Sequence, residues 1–267
     1  MPLNSINTNI TASIALESLN LTNSQLAVVQ KQVSTGYRVA DATDDGAAYA
    51  IAQRVRSDVG ALTSVNQQLG NVQGLLSTTL SAVNDVSNTM SSARDVLVKL
   101  ADSNTQGTQR SQYVAQYQSL VANIKTFFQD ASYNGKTLIG NMSGSSGTFG
   151  GSAFYGSINF TSTQLNAATT VSKLITATAT PGTFINKLNN LGTAMNKFGS
   201  ETNYVTNQVN YNNDKITSLN DGLGALIDAN LAQESAQLQS LQIRQQLGTQ
   251  ALSIANQAPS SLLSLFK

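Results

Sequence analysis

Cysteine, histidine and tryptophan are absent from this chain of 267 residues, and only 11% of its side chains are charged. Without thiols or imidazoles, thiol and Ser-His-Asp catalysis, zinc sites and haem ligation are excluded together. A carboxylate-only hydrolase or a lysine Schiff-base enzyme stays formally open. Both need charge, and the supply is less than half the usual level of about 25%. The expectation is no enzyme, no catalytic or metal-binding residue and no cofactor. Lys+Arg 15 against Asp+Glu 14 leaves a net charge of +1 with no basic cluster, so neither nucleic acid nor an anionic membrane finds an electrostatic handle. No disulfide staples the fold, and packing alone must hold it. Glu17 is the sole charge before Lys31, so the basic n-region of a secretory signal is missing. No apolar run approaches the roughly 18 to 20 residues that span a bilayer. By these rules alone the chain reads as soluble and cytosolic, without membrane insertion.

What the chain does have is a seven-residue repeat. Val55, Leu62, Leu69, Leu76, Val83, Met90 and Leu97 fall at successive heptad positions. Val65, Val72, Val86, Ala93 and Leu100 occupy the matching d positions, with Asp58 and Thr79 as exceptions. Two apolar seams make one coiled-coil stripe, and residues 55–97 predict a rod of roughly 65 Å. A second rod, about 60 Å long, is written by Phe184, Leu188, Leu191, Met195, Phe198, Val205, Val209, Ile216, Leu219, Leu223 and Leu226, interrupted at Thr202 and Asn212. A shorter helix places Tyr113, Tyr117, Leu120, Ile124 and Phe127 on one face. The stretch SNTQGTQ before it lets the chain reverse, so an antiparallel bundle follows.

Each rod has an extension in a different register. Leu19, Leu26, Val29 and Val33 continue a heptad begun at Ala12 and Ala15, which points to position 54 rather than 55. Beyond Leu226 the seam restarts with Ile227, Leu231, Leu238, Leu241, Leu252 and Ala255, and a second apolar row, Ile243, Leu247 and Ile254, runs round the side. The slips fall at glycine-bearing stretches, Gly36 to Gly46 and Gly222 with Gly224. Two coaxial layers joined by paired connectors are expected. Between the rods, residues 134–182 hold Asn134-Gly135 and a glycine-rich run in which Phe149, Ala153, Tyr155, Ile158 and Phe160 alternate. These read as short β-hairpins at a tip.

The fold expected is therefore mainly α: a long antiparallel helical coiled-coil bundle with a short β-hairpin tip, its N- and C-terminal helices paired in a second coaxial layer. Its parts are an inner helix (1–33), a connector (34–46), two rod helices (47–133), the tip (134–182), a returning rod helix (183–221) and a second inner helix (222–267).

The stretch DATDDG, residues 41–46, looks most like a site. An EF-hand loop would need a bidentate Glu at its twelfth position, which here is Ala52. The architectural alternative has Thr43 or Asp44 capping a helix that begins near Gly46, with Asp44 and Asp45 opposing its dipole. That accounts for all but Asp41. Lys99 reads as a solvated helix residue, since a Schiff-base lysine needs a desolvating pocket or a neighbouring cation.

The residues at the two ends resemble a bacterial flagellin, the filament subunit. SINTNITASIALESLN and STGYRVADATDDGAAYAIAQRVR are similar to the family's N-terminal signature, continued by VNDVSNTMSSARDVLVKLADSNT and ASYNGKTLI. ANLAQESAQLQSLQIRQQLGTQALSIANQAPSSLLSLFK resembles its C-terminal signature. The resemblance implies terminal helices lining a channel, rods in the next layer and subunits stacked into a helical tube used for swimming. It implies secretion through the flagellar type III apparatus, reversing the cytosolic reading, and a place in the extracellular filament. The implied partners are further copies of the chain, sibling flagellins, an export chaperone, and the filament cap and hook-junction proteins. In flagellins sensed by the animal Toll-like receptor, an Arg stands two residues before the Arg matching Arg94 and a Leu two residues after. Here those positions are Ser92 and Val96, so the basic contact is missing. The rivals are a hook-filament junction protein and a chemoreceptor-like coiled-coil signalling hairpin. The second would want charged flanking positions and a transmembrane span. Because residues 1–33 and 227–267 bury little alone, they are expected to order on stacking.

Overall fold

A computed structural model describes residues 8–139, 151–176 and 184–265 of the chain. Among these the elements are helices: α1 (Ile10–Thr35), α2 (Gly46–Ala101), α3 (Gly107–Asp130), α4 (Gly151–Ile158), α5 (Ser162–Leu165), α6 (Ala168–Thr176), α7 (Phe184–Ile227) and α8 (Leu231–Leu265). Extended pairing among the described residues is limited to two isolated antiparallel bridges, Tyr37 with Asp228 and Tyr133 with Lys136. The chain divides into two compact units, residues 1–62 with 215–267, and residues 63–214. Helices α2 and α7 contribute to both.

In the unit 63–214 the heptad of α2 forms the core. Leu76, Val83, Met90 and Leu97 are buried, as are Val86, Ala93 and Leu100 from the d positions, while Leu69 is half-buried. Thr79, an exception in the seam, is also buried, and its hydroxyl donates to the Leu75 carbonyl at 2.8 Å, which removes the cost of an unpaired polar group. Leu191 of α7 is buried and Leu188, Met195 and Phe198 pack at the edge of the same core. The buried face of α3 is Val114, Tyr117, Val121, Ile124 and Phe128, with Tyr113, Leu120 and Phe127 flanking it. The expected face is thus rotated by about one residue.

The expected β-hairpin tip is corrected. Residues 151–158, 162–165 and 168–176 are helical; Phe149, part of that expectation, lies outside the described residues. The reason is spacing: Phe154 and Ile158, four apart within α4, are both buried, a helical rather than an alternating pattern. Polar side chains of α3 receive these short helices. The Tyr117 hydroxyl donates to the Ile158 carbonyl at 2.6 Å, the last residue of α4, and its ring stacks on Phe160 at 5.9 Å. Burial raises the Tyr117 phenol well above its ordinary pKa. Arg110, itself buried, donates to Leu165 O at 2.8 and 3.2 Å, Thr105 O at 3.0 Å and Leu100 O at 2.8 Å. It thereby caps the C-termini of α5 and α2, where carbonyls lack helical partners and the dipole is negative.

Asn134-Gly135 does form a two-residue turn. Tyr133 and Lys136 exchange backbone hydrogen bonds of 2.8 and 3.0 Å across residues with φ of 50° and 73°, as in hairpin turns with positive φ at both central residues. The Tyr133 ring rests on Gly74 of α2 so closely that a Cβ there would lie 2.7 Å from it.

Below that turn α2 pairs with α7 through amides. Asn212, buried in the seam, donates to Asn66 at 2.9 Å, Asn66 donates to Asn213 at 2.8 Å, and Gln73 donates to Thr206 at 3.1 Å. Val65 and Val72 were expected in this seam, yet both are exposed. Where α3 lies alongside α2, the same d positions are buried; α3 ends at Asp130 and its following turn meets α2 at Gly74. A two-helix contact covers only a narrow stripe.

Candidate functional site

The unit formed by residues 1–62 and 215–267 carries the terminal helices. Helix α1 begins at Asn9, whose side chain accepts from Ala12 N at 3.0 Å, and ends at Gly36, with φ of 74°. These are the standard N-cap and left-handed C-cap. Helix α8 lies against α1: Asn9 donates to the Ala255 carbonyl at 2.7 Å and Gln245 to Asn23 at 2.7 Å, so the two run antiparallel. Gly248 permits the approach, since a Cβ there would stand 3.2 Å from Leu19. In the seam, Val29, Leu241 and Ala255 are buried; Leu19, Leu26, Val33, Leu238 and Leu252 are half-buried. Leu231, read as a seam residue, opens α8 and is exposed, and Ile227 is buried in the connector rather than between α1 and α8.

Both helices also carry apolar rows away from the seam. On α1, Ile14 (62% exposed), Leu21 (61%) and Val28 are one heptad apart; on α8, Ile243, Leu247 and Ile254 (69%) are exposed. Exposed large aliphatics spaced on one face of each helix of a pair leave two apolar stripes uncovered among the described residues.

The connector is built from DATDDG and the residues around it. Lys31, in the last turns of α1, donates to Asp41 at 2.6 Å and to both oxygens of Asp44 at 2.8 Å. Asp41 also accepts from the backbone N–H of Thr43 at 2.8 Å and from its hydroxyl. Asp44 accepts from Ala40 N at 2.9 Å and Asp41 N at 3.2 Å. The Lys31 ammonium, followed by the Thr43 hydroxyl, holds the Asp41 carboxyl far below its ordinary pKa. Lys31 and the Ala40 amide lower that of Asp44, and the two carboxylates raise Lys31. The ammonium sits between Asp41 and Asp44 and pairs with both carboxylates.

The cap assignment is corrected in detail. Asp45 accepts from Ala47 N and Ala48 N, both at 3.0 Å, and is the N-cap of α2. Thr43 and Asp44 shape the loop instead, because their oxygens are committed to Asp41, Lys31 and loop amides. The second break also lies later than expected. Helix α7 runs through Gly222 and Gly224 to Ile227, and the chain turns at 228–230, where Asn230 accepts from Gln233 N at 3.3 Å. Isolated glycines cost a helix about 1 kcal/mol each without ending it, and at Gly224 a Cβ would stand 2.7 Å from the Asp228 carboxylate. The two connectors meet: Arg38 donates from its guanidinium to Leu226 O at 2.6 Å, Arg38 N and Val39 N donate to Ile227 O, and Ala229 N donates to Gly36 O at 2.9 Å. Beneath them Val39, Ala48, Ala52 and Ile227 form a small core.

Of the remaining sequence-predicted positions, Val55 and Leu62 are half-buried on the α2 stripe. Ser92 is exposed, whereas Val96 is buried 3% exposed in the core of the other unit. Sequence reasoning passed over Lys31 and Arg110. The available signal was scarcity: in a chain so poor in charge, a lone cation beside apolar periodicity needs a partner. Among the described residues no helix is long and apolar enough to cross a membrane.

Comparison with known proteins agrees at both ends. Residues 6–143 match the family described as the bacterial flagellin N-terminal helical region, and residues 182–266 match the bacterial flagellin C-terminal helical region. Flagellin FljK of Caulobacter vibrioides is 34% identical with all of both chains covered, and Flagellin FljM of the same organism is also 34% identical with full coverage. A flagellin of Brucella melitensis is 32% identical over 98% of this chain and 99% of its own.

Proposed function

The chain belongs to the bacterial flagellin family and is a structural subunit of the flagellar filament, and from that premise we propose how its parts divide the work. Helices α1 and α8 form an inner layer of a helical tube, residues 36–45 and 228–230 connect, and α2 to α7 form the layer around it. The single observation that carries this reading is the pair of outward apolar rows, Ile14-Leu21-Val28 and Ile243-Leu247-Ile254. The α1–α8 seam uses one face of each helix, and further copies of the chain supply cover for the others. Polymerisation therefore stabilises termini that bury little in the free subunit. Export in an unfolded state fits a chain without cysteine, since no disulfide can trap it, and the working place is the extracellular filament. An export chaperone, the cap and the hook-junction proteins complete the set of partners this reading calls for. With Ser92 where the receptor's basic contact would stand, this reading expects weakened engagement of the animal Toll-like receptor.

Seeded growth followed by electron microscopy tests the proposal. Purified subunit should elongate filament seeds, and amide exchange in α1 and α8 should slow markedly on polymerisation. A junction protein would decorate seed ends without elongating them. Equal protection of both helices in monomer and filament would overturn the account of the termini.

A further inference from the structure

Asn134-Gly135 is the sole Asn-Gly pair in the chain, and the turn it forms has an uncommon backbone. Asn134 is the only non-glycine residue with positive φ among the described residues, at 50°, and Gly135 follows at 73°. Positive φ at both central residues defines a type I′ turn, in which ψ of the first is about +30°. Both residues are exposed. The bridge across the turn uses the N–H groups of Tyr133 and Lys136 and makes no use of that of Gly135, which has no Cβ to shield its nitrogen. A primary amide, an unshielded backbone N–H next to it and open access for water are the ingredients of spontaneous deamidation.

We propose that Asn134 is a deamidation site that the closed turn protects. Hydroxide removes the Gly135 amide proton and the nitrogen attacks Asn134 Cγ; as the new C–N bond forms, the Cγ–Nδ2 bond breaks, and Nδ2 takes a proton from water and leaves as ammonia. Water then opens either carbonyl of the five-membered imide, giving aspartate or isoaspartate at this position with no change of oxidation state. Ring closure requires the Gly135 nitrogen to lie on the Cβ side of the Asn134 Cα–C bond, which sets ψ at about −120°, the value of the first central residue in a type II′ turn and not in a type I′ turn. The two turn classes close the same two-residue hairpin and differ by a flip of the central peptide. The reactive geometry is therefore one peptide flip from the observed one, with Tyr133 and Lys136 still paired. That flip is disfavoured, because the first central position of a type II′ turn belongs to glycine and an asparagine there is strained. Time spent unfolded thus governs the modification more than time spent folded. The isoaspartyl product runs the main chain through the side chain and adds an atom to the loop, so it cannot keep the pairing of Tyr133 with Lys136, beside which the Tyr133 ring meets Gly74.

Incubation of the purified protein at mildly alkaline pH, followed by peptide mass spectrometry and isoaspartyl methyltransferase labelling, tests this against the free peptide spanning residues 126–136, whose single asparagine is Asn134. In the folded chain Asn134 should convert before any asparagine of the helices, and at least tenfold more slowly than in the peptide. Gly135→Ala supplies the second arm. An added Cβ there meets no atom within 4 Å, but a φ of 73° strains an alanine, and the flipped turn, with negative φ at that position, suits it. Each folded protein is compared with its own peptide, which cancels the shielding by the added methyl group. On that scale the protection should shrink at least threefold in Gly135→Ala while helicity stays unchanged. An inert peptide, equal rates in folded protein and peptide, a helical asparagine converting first, or protection undiminished in Gly135→Ala would each overturn the inference. None of these results depends on whether the chain elongates filament seeds, so the filament reading stands or falls separately.

Discussion

Arg110→Met deletes a guanidinium that reaches backbone carbonyls on three separate segments, Leu100, Thr105 and Leu165, with four donor contacts between 2.8 and 3.2 Å. Arg110 is 8% exposed, so water cannot freely replace it. Taking about 1.5 kcal/mol for each of three charge-assisted carbonyl contacts gives a gross loss of about 4–5 kcal/mol. Relieving the burial of a cation returns about 1–2 kcal/mol, and methionine keeps most of the apolar stem, so the cavity contribution is small. The net expectation is a loss of about 3 kcal/mol. For a body of this size that corresponds to a fall of about 6–12 °C in the midpoint of thermal unfolding. Circular dichroism follows the helices, and tyrosine fluorescence reports the Tyr117 environment without tryptophan interference, since the chain has none. Arg110→Lys should fall between, because one ammonium cannot span all three carbonyls. A loss below about 1 kcal/mol for the methionine variant, or a lysine variant as weak as the methionine one, would refute the capping argument.

Three further outcomes follow from the connectors and the seam. Asp45→Ala should cost about 1 kcal/mol and Asp45→Asn much less, read from urea unfolding; an equal cost for both would reassign the cap. The depressed carboxyls of Asp41 and Asp44 contribute stability that is complete above the ordinary carboxylate pKa of about 4 and is lost as pH falls through their lower folded-state values. The raised Lys31 contributes below about 10.4 and loses its effect as pH rises through its higher folded value. Lys31→Met should flatten both limbs of the stability–pH curve, and an unchanged acid limb would exclude the triad from it. Asn66→Leu with Asn212→Leu should raise thermal stability but permit α2 and α7 to shift by a heptad, detectable as heterogeneous cross-linking between cysteines introduced on the two helices; a single cross-linked product would show that the amides do not set register.

The sequence by itself determined the long helices, their apolar stripes and the family, but not the short helices α4 to α6, which it read as hairpins. A heptad repeat is a local property, legible in Leu76, Val83, Met90 and Leu97 without knowledge of any neighbour. Both end signatures lie in contiguous residues, so the filament reading needed no coordinates. Only tertiary structure decided what covers each stripe. Val65 and Val86 occupy equivalent d positions, yet one is exposed and the other buried, because α3 reaches only one of them. Likewise DATDDG offered Thr43 or Asp44 as the cap, and Lys31, ten residues before Asp41, left that place to Asp45 by engaging Asp41 and Asp44. The glycines at 222 and 224 promised a break that packing against the first connector moved to 228–230. Periodicity states which face of a helix is apolar. Whether that face is satisfied depends on segments distant in the chain, and their positions are not written in any one window of it.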